Sequence, residues 1–163
     1  MKARLNYSSV APDGYKAMLG LEEYLEHCSL EPSLKLLVLL RASQINHCAY
    51  CIDMHSQDLR AIGESEQRLY LLNAWREAPF YSSREKAALA WTDAVTSLSP
   101  GFVPDEVYEA ARKEFSEKEL VDLTLALATI NGWNRLCVAF RSVPGHYKPS
   151  VKVEQEVAAV SNA

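Results

Sequence analysis

Apolar residues recur every three or four positions along most of the chain, which is the spacing of one face of an α-helix. The first such pattern lies at residues 15–27, and the second extends from about residue 32 to residue 46. A strand is the alternative for residues 36–40, but the apolar pattern continues to Ile45 and no turn residues bound the short run. Because no segment shows sustained alternation of apolar and polar residues, the pattern predicts an all-α domain.

Start and stop signals predict further helices. Ser82 and Ser116 each precede a glutamate by three residues, which is the pattern of a helix capping box. Gly63 is a candidate left-handed cap at the end of a helix, and Pro104 with two following acids is typical of a helix start. The helices that these signals predict lie at about residues 48–63, 65–75, 82–96, 104–115 and 116–140.

The sequence thus predicts about six to seven helices in one domain over residues 1–150, followed by a polar C-terminal tail at 151–163. Two of these helices, at 32–46 and 116–140, are apolar on nearly every side. One small bundle cannot easily cover two such helices. We therefore expect the chain to form a homo-oligomer.

Composition and charge narrow the function classes. The 163 residues are 48% apolar, which fits one domain with a sizeable core, and carry a formal charge of −4. The basic residues are interspersed with acids rather than grouped, so we expect no nucleic-acid partner. The first ten residues lack the apolar core of a signal peptide and no apolar run is long enough to span a membrane, so we expect no membrane partner. With only four cysteines, the chain is expected to be cytoplasmic and soluble, in a reducing environment.

The most informative local feature is the sequence Cys-Ala-Tyr-Cys-Ile-Asp-Met-His at residues 48–55. On a helix, Cys48, Cys51 and His55 fall within a sector of about 60°, so they share one face. A disulfide across one helical turn closes a very short loop and adds little to the stability of the fold. The spacing therefore favours reversible redox chemistry.

A thiolate rather than a thiol attacks a peroxide or a disulfide, so one cysteine must lose its proton. Cys48 lies at or near the start of its helix, where the helix dipole favours a thiolate. His55 lies four residues beyond Cys51 and can serve as its general base. Cys48 could then condense with a sulfenic acid on Cys51 to give a disulfide and water. Because Cys48 is nearer to the helix dipole, these residues alone leave the order of attack open.

The sequence around this motif resembles the alkylhydroperoxidase D-like branch of the carboxymuconolactone decarboxylase superfamily. The resemblance covers roughly residues 34–147, and its core is Cys-x-x-Cys-x-x-x-His in an Ile-Asn-x-Cys context. It implies an all-α fold, reduction of peroxides without a cofactor, and homo-oligomers, commonly trimers or hexamers. It also implies that Cys51 is the peroxidatic and Cys48 the resolving cysteine. The segments that carry the resemblance are 39–55, Gly63, 66–69, 75–77 and 84–92.

The chain differs from the best-studied members of that family at two positions. Leu36 stands where those members have a glutamate twelve positions before the first cysteine, and Tyr50 stands where they have a histidine before the second. A phenol can donate a hydrogen bond but is a poor proton acceptor at neutral pH. Glu85 is the candidate replacement for the missing carboxylate, although its place in a capping box explains it structurally.

We therefore expect a thiol-dependent hydroperoxide reductase or disulfide oxidoreductase that uses Cys48, Cys51 and His55, with Tyr50 and Glu85 as further candidates. Its substrate would be a hydroperoxide and its reductant an unidentified thiol or protein, with no cofactor. An alternative is a zinc site formed by Cys48, Cys51 and His55, with a fourth ligand from His47 or a neighbouring subunit. A non-catalytic oligomeric protein is a further alternative. The other two cysteines, Cys28 and Cys137, are interpreted as small buried apolar residues.

Overall fold

The computed structural model describes residues 2–98 and 101–149, and this part of the chain is helical without any strand. The all-α prediction is therefore confirmed. No helix in the described ranges has the length and apolar content needed to cross a membrane. The helical segments are α1 (Tyr7–Val10), α2 (Pro12–Glu26), α3 (Pro32–Ile45), α4 (Ala49–Ala61), α5 (Glu66–Leu71), a 3₁₀ turn (Leu72–Ala74), α6 (Ser83–Thr96), α7 (Asp105–Glu114) and α8 (Glu117–Phe140).

The helix boundaries differ from those predicted in three places. Helix α1 was not predicted, because its four residues are too few to show a period. Helix α2 begins at Pro12 rather than at residue 15, since proline fits the first turn of a helix. The predicted helix after Ser65 ends at Leu71 and continues as the 3₁₀ turn. The predicted tail at 151–163 lies outside the described residues.

Both predicted capping boxes are present. The amide of Glu85 donates to the Ser82 hydroxyl at 3.2 Å, and the amide of Ser82 donates back to the Glu85 carboxylate at 2.7 Å. Ser116 and Glu119 make the same reciprocal pair at the start of α8. These pairs satisfy amide groups that have no partner within the helix and so define where α6 and α8 begin.

Helix α3 lies at the centre of the fold and packs against α4, α6 and α8. Leu34 and Val38 belong to a core cluster shared with α8, whereas Leu37 and Leu40 belong to a second cluster with the region around the 3₁₀ turn. The chain's own helices thus cover two sides of α3, which explains why it is apolar nearly all round. Oligomerisation stays a prediction, because a single chain already accounts for this feature.

A buried polar cluster fixes the end of α3 against α8. The Asn46 side-chain amide donates to Asn131 Oδ1 at 2.7 Å and to Asn134 Oδ1 at 2.9 Å. The Asn134 amide donates to the Ser43 hydroxyl at 3.1 Å, and both Ser43 and Asn134 are fully buried. Buried polar groups that are hydrogen-bonded in this way define one relative position of two elements. The cluster therefore holds the turn between α3 and α4 in place, directly before Cys48.

Candidate active site

Cys48 occupies the N-cap of α4, which confirms the prediction that it lies at or near the start of a helix. His47 ends the preceding turn in the left-handed region with φ 54°, and Cys48 then returns to an extended conformation. The Cys48 amide donates to the Ser43 carbonyl at 3.0 Å. Cys48 and Cys51 are joined by a disulfide, with their Cα atoms 5.4 Å apart. The change of backbone direction at residues 47 and 48 thus places Cys48 one helical turn before Cys51, so that their side chains can meet.

The disulfide lies inside the protein and beside a third sulfur. Cys48 and Cys51 are each about 1% exposed, and Cys137 of α8 is 4% exposed. All three sulfur atoms lie within 4.8 Å of one another. A cavity of about 260 Å³ reaches this cluster, and Cys48 and Cys137 line it whereas Cys51 does not. The other residues that line the cavity are His47, Ala49, Tyr50, Val138, Arg141 and Ser142.

His55 lies on α4 one turn beyond Cys51 and is 6% exposed. Neither of its ring nitrogens has a hydrogen-bond partner within residues 2–98 and 101–149. Nδ1 lies 3.6 Å from Asp58 Oδ2, which is near enough for attraction between charges but too far for a good hydrogen bond. Buried polar groups without partners are uncommon and often have a catalytic role. His55 is therefore a buried imidazole with free capacity to accept or donate a proton.

The segment that follows α8 is hydrogen-bonded to α4 beside His55. Tyr147 donates its hydroxyl to Asp58 Oδ1 at 2.6 Å, and the Gly145 amide donates to Asp53 Oδ2 at 2.8 Å. Burial and the bond to Asp58 raise the pKa of Tyr147, so the hydroxyl stays protonated and remains a donor. The chain from α8 thereby holds Asp58 in position next to the His55 ring.

We expect Tyr147→Phe to lower the free energy of unfolding by about 1–3 kcal/mol, because the buried Asp58 carboxylate loses its hydroxyl donor. Urea unfolding at neutral pH measures this change. Since the folded-state pKa of Tyr147 lies above its ordinary value of 10.0, wild-type stability should fall as the pH rises from about 10 through the raised pKa. The free energy of unfolding of the variant should fall less steeply with pH over that interval. Equal stability and equal alkaline slopes in the two proteins would contradict the role of this hydrogen bond.

Tyr50, the residue found in place of the family's histidine, is half-buried and lines the cavity. Burial, together with the neighbouring Cys137, raises the pKa of the Tyr50 hydroxyl. Tyr50 therefore stays protonated at neutral pH and can act there as a hydrogen-bond donor but not as a base. His47, which is exposed as expected, also lines the cavity.

The structure does not bring Glu85 into contact with His55. Its carboxylate accepts from the Ser82 amide and pairs with the Arg68 guanidinium. Both interactions belong to the start of α6, so the capping box and the ion pair account for Glu85. Leu36 packs against the second core cluster, as an apolar side chain at that position should. The carboxylate beside His55 is Asp58 instead.

Sequence reasoning missed Asp58 and Cys137. The signal for Asp58 was available, because His55 and Asp58 are three residues apart on one helix and therefore lie side by side. Cys137 is 86 positions from Cys51, and no local pattern indicates that it reaches the motif. Contacts between distant segments, among them the hydrogen bond between Asn46 and Asn134, bring that part of α8 against the start of α4.

The predicted zinc ligand set is not the cluster that the structure assembles. Among the described residues, the group whose donor atoms converge closely enough for a metal ion consists of Cys48, Cys51 and Cys137, without His55. Two of these sulfurs are joined to each other and would have to be reduced before they could bind an ion. The geometry thus does not support a zinc site that includes His55.

The fold and the cysteine pair define a class of protein. Residues 12–94 match the carboxymuconolactone decarboxylase family, and the chain belongs to that family. It is 44% identical to the uncharacterized protein YdfG of Bacillus subtilis over 139 residues, which are 85% of this chain and 95% of YdfG.

Solved structures show the same fold. A protein of unknown function from Agrobacterium tumefaciens, grouped with the antioxidant defence protein AhpD, superposes with a TM-score of 0.86 at 43% identity. The match covers 90% of this chain and 100% of that protein. The debrominase Bmp8 superposes with a TM-score of 0.75 at 20% identity, over 93% of this chain and 78% of Bmp8. The latter likeness concerns the fold alone.

Proposed function

We propose that this protein reduces hydroperoxides through Cys51 and Cys48, with His55 as the general acid and base. The observation that carries the proposal is the buried His55 imidazole, which lacks a hydrogen-bond partner in the described chain and lies one turn from the disulfide. Burying an unpaired polar group costs about 1–3 kcal/mol, so an unpaired imidazole is retained more readily where it has a chemical task. The similarity to an AhpD-type protein supports the same chemistry.

In the first step His55 accepts the thiol proton of Cys51. The thiolate attacks the terminal oxygen of the hydroperoxide, the O–O bond breaks, and the alkoxide takes the proton back from His55 to leave as an alcohol. Cys51 is now a sulfenic acid. Cys48 then attacks the Cys51 sulfur, a disulfide forms, and the hydroxyl leaves as water with the proton of the Cys48 thiol. One peroxide thus consumes two thiols.

Asp58 and Tyr147 support this step as positioning residues. The Asp58 carboxylate is held by the Tyr147 hydroxyl and lies 3.6 Å from His55 Nδ1. A small movement of the ring would convert this distance into a hydrogen bond once His55 carries the proton, because an imidazolium donates from both nitrogens. The negative charge of Asp58 would then stabilise the protonated ring. Asp58 thereby takes the role for which Glu85 was considered.

Recycling requires a reductant that reaches the disulfide. Cys48 is among the residues that line the cavity and Cys51 is not, so we expect an external thiol that enters the cavity to attack Cys48. Attack there releases Cys51 as the leaving thiolate, which takes up the proton that the attacking thiol has lost, and a second thiol then releases Cys48 from the mixed disulfide. The proposed order of the cysteines, with Cys51 attacking peroxide and Cys48 resolving, is taken from the family resemblance. A cytoplasmic pool of thiols or a thiol protein would supply the electrons.

The same disulfide would also support thiol–disulfide exchange with a protein substrate, which is the second candidate function. The observation that favours it is the cavity, since it opens on Cys48 and is large enough for a side chain. We also propose that the chain acts as a homo-oligomer. Val121 and Val138 of α8 are each more than half exposed and are available for contacts between subunits.

An assay of hydroperoxide consumption with several donors tests the proposal. The reduced protein is mixed with hydrogen peroxide or cumene hydroperoxide, together with a monothiol, a dithiol or a thiol protein. We expect catalytic peroxide loss with at least one donor and little with the oxidised protein alone. A protein that exchanges disulfides with all donors but consumes no peroxide would support the second candidate. Inactivity in both assays would contradict both functions.

A further inference from the structure

Cys137 is a third sulfur beside the Cys48–Cys51 disulfide, and the proposed reaction does not use it. Its sulfur lies within 4.8 Å of both disulfide sulfurs, and it is 4% exposed. Cys28, the other free cysteine, is half-buried, and its thiol donates to the Leu25 carbonyl. Cys137 is thus the free thiol that the fold places against the redox pair.

Several contacts hold Cys137 in this place. Asn134, one turn earlier on the same helix, is hydrogen-bonded to Asn46 and Ser43 at the end of α3. The Ser142 amide donates to the Cys137 carbonyl at 2.9 Å, where α8 ends. The Tyr7 hydroxyl lies 3.6 Å from the Cys137 sulfur. The thiol is therefore fixed from both sides rather than left to pack as a small apolar group.

We propose that Cys137 is a third redox-active thiol, which exchanges with the Cys48–Cys51 disulfide and carries the oxidised state to a Cys48–Cys137 disulfide at the cavity. The inference rests on the proposed function, because it extends the same redox cycle. Its geometric basis is that Cys48 and Cys137 both line the cavity whereas Cys51 does not. The new disulfide would join two residues that line the cavity.

The exchange is balanced without an added oxidant or reductant. The Cys137 thiol loses its proton and attacks the Cys48 sulfur, the Cys48–Cys137 bond forms, and the Cys48–Cys51 bond breaks. Cys51 leaves as a thiolate and takes up one proton. Before and after the exchange, the three cysteines therefore comprise one disulfide and one free thiol. Side-chain rotation must shorten a separation of at most 4.8 Å to a bond of about 2 Å.

The Tyr7 hydroxyl lies within hydrogen-bond distance of the Cys137 sulfur. Burial and the neighbouring Cys137 raise the pKa of Tyr7 to about 12. The phenol therefore remains protonated at neutral pH and can donate its proton in a hydrogen bond to a Cys137 thiolate. Tyr7 is the first residue of α1 and Cys137 lies on α8. The short helix α1 therefore positions the phenol beside the sulfur.

The exchange has a functional consequence. Once Cys48 is joined to Cys137, Cys51 is a free thiol next to His55 and can react with a second peroxide. The reductant then opens the Cys48–Cys137 disulfide in the cavity, and the released Cys48 thiol resolves the sulfenic acid on Cys51. One chain can therefore accept two peroxides before it needs the reductant. Without Cys137 it can accept one.

The first test uses the full-length Cys51→Ser variant, in which Cys48 and Cys137 are the neighbouring thiols. The reduced variant is oxidised with diamide, acid-quenched and mapped by peptide mass spectrometry. We expect a peptide pair joined through Cys48 and Cys137. The pair should persist in Cys51→Ser/Cys28→Ser, the matched control, and should be lost in Cys51→Ser/Cys137→Ser. Recovery of Cys48 and Cys137 as unlinked thiols would overturn the inference.

The second test needs no change at Cys51. Wild-type protein oxidised by one equivalent of diamide is treated with an alkylating reagent under native and then denaturing conditions. We expect a fraction of chains with labelled Cys51 and a Cys48–Cys137 disulfide, and loss of that Cys51 labelling in Cys137→Ser. If Cys51 were unlabelled in wild type as well as in Cys137→Ser, the proposed exchange would be overturned. Because diamide replaces peroxide, a failure of peroxide reduction would leave these two results unaffected and is distinguished from them.

Discussion

Replacement of Cys51 by serine is expected to lower peroxide-dependent turnover by about a thousandfold or more. Serine keeps the size of the side chain but is a far weaker nucleophile, and it cannot form the sulfenic acid or the disulfide. Because Cys51 is buried in the core, the serine hydroxyl there should lower the free energy of unfolding of the reduced protein by about 1–3 kcal/mol, so turnover is compared at a temperature where both proteins are folded. Steady-state peroxide consumption with the best thiol donor measures the loss.

Matched variants distinguish the cysteine that attacks the peroxide from the cysteine that resolves the sulfenic acid. Cys28→Ser removes a thiol that is remote from the pair in its contacts and should leave turnover unchanged. Cys48→Ser/Cys137→Ser should still react with the first peroxide but should accumulate a sulfenic acid on Cys51 that a sulfenic-acid probe can trap, because both neighbouring thiols are removed. If the trapped residue were instead Cys48 in Cys51→Ser/Cys137→Ser, with rapid peroxide reaction, the order of attack would be reversed.

Replacement of His55 by leucine is expected to slow oxidation of Cys51 by roughly 10²–10⁴-fold, which is the usual contribution of a general base. Leucine is similar in size and needs no hydrogen bond, whereas both imidazole nitrogens are buried without a partner in the described chain. The variant should therefore be as stable as wild type, or more stable by about 1 kcal/mol. Stopped-flow measurement of thiol oxidation and urea unfolding give the two quantities.

The pH dependence separates a chemical role of His55 from a structural one. In wild type, the oxidation rate should fall as the solution is acidified, because a protonated ring cannot accept the thiol proton. The leucine variant should lose this part of the profile. A variant that unfolds, or one whose pH profile matches wild type at a lower rate, would argue that His55 only supports the fold.

The sequence contains enough information for most of the helices. The period of the apolar residues and the two Ser-x-x-Glu boxes predict the starts of α6 and α8 to within one residue, since these are local signals. The N-cap position of Cys48 is local as well. The 3₁₀ turn after Leu71 is not, because the chain there adapts to the packing of Leu72 and Trp75 in the second core cluster.

The candidate site is less visible in the sequence, because it depends on contacts between distant parts of the chain. Tyr147 reaches Asp58 across 89 positions, and Asn134 reaches Asn46 across 88. The second contact brings Cys137 to the disulfide, where an isolated cysteine is otherwise interpreted as a small apolar residue. Glu85 shows the opposite case, since its capping pattern predicted its structural role correctly.

The most direct measurement of the central claim is the reaction of fully reduced protein with one equivalent of hydroperoxide. The reaction is quenched with acid at successive times, the remaining thiols are counted, and the disulfides are mapped in wild type and His55→Leu. We predict that two thiols disappear per peroxide in wild type, with Cys51 in a disulfide or a sulfenic acid at the earliest times. We also predict that the histidine variant is slower by the factor given above. If wild type and His55→Leu lost their thiols at the same rate, and that rate were the rate of free cysteine, the proposed roles of Cys51 and His55 would be contradicted.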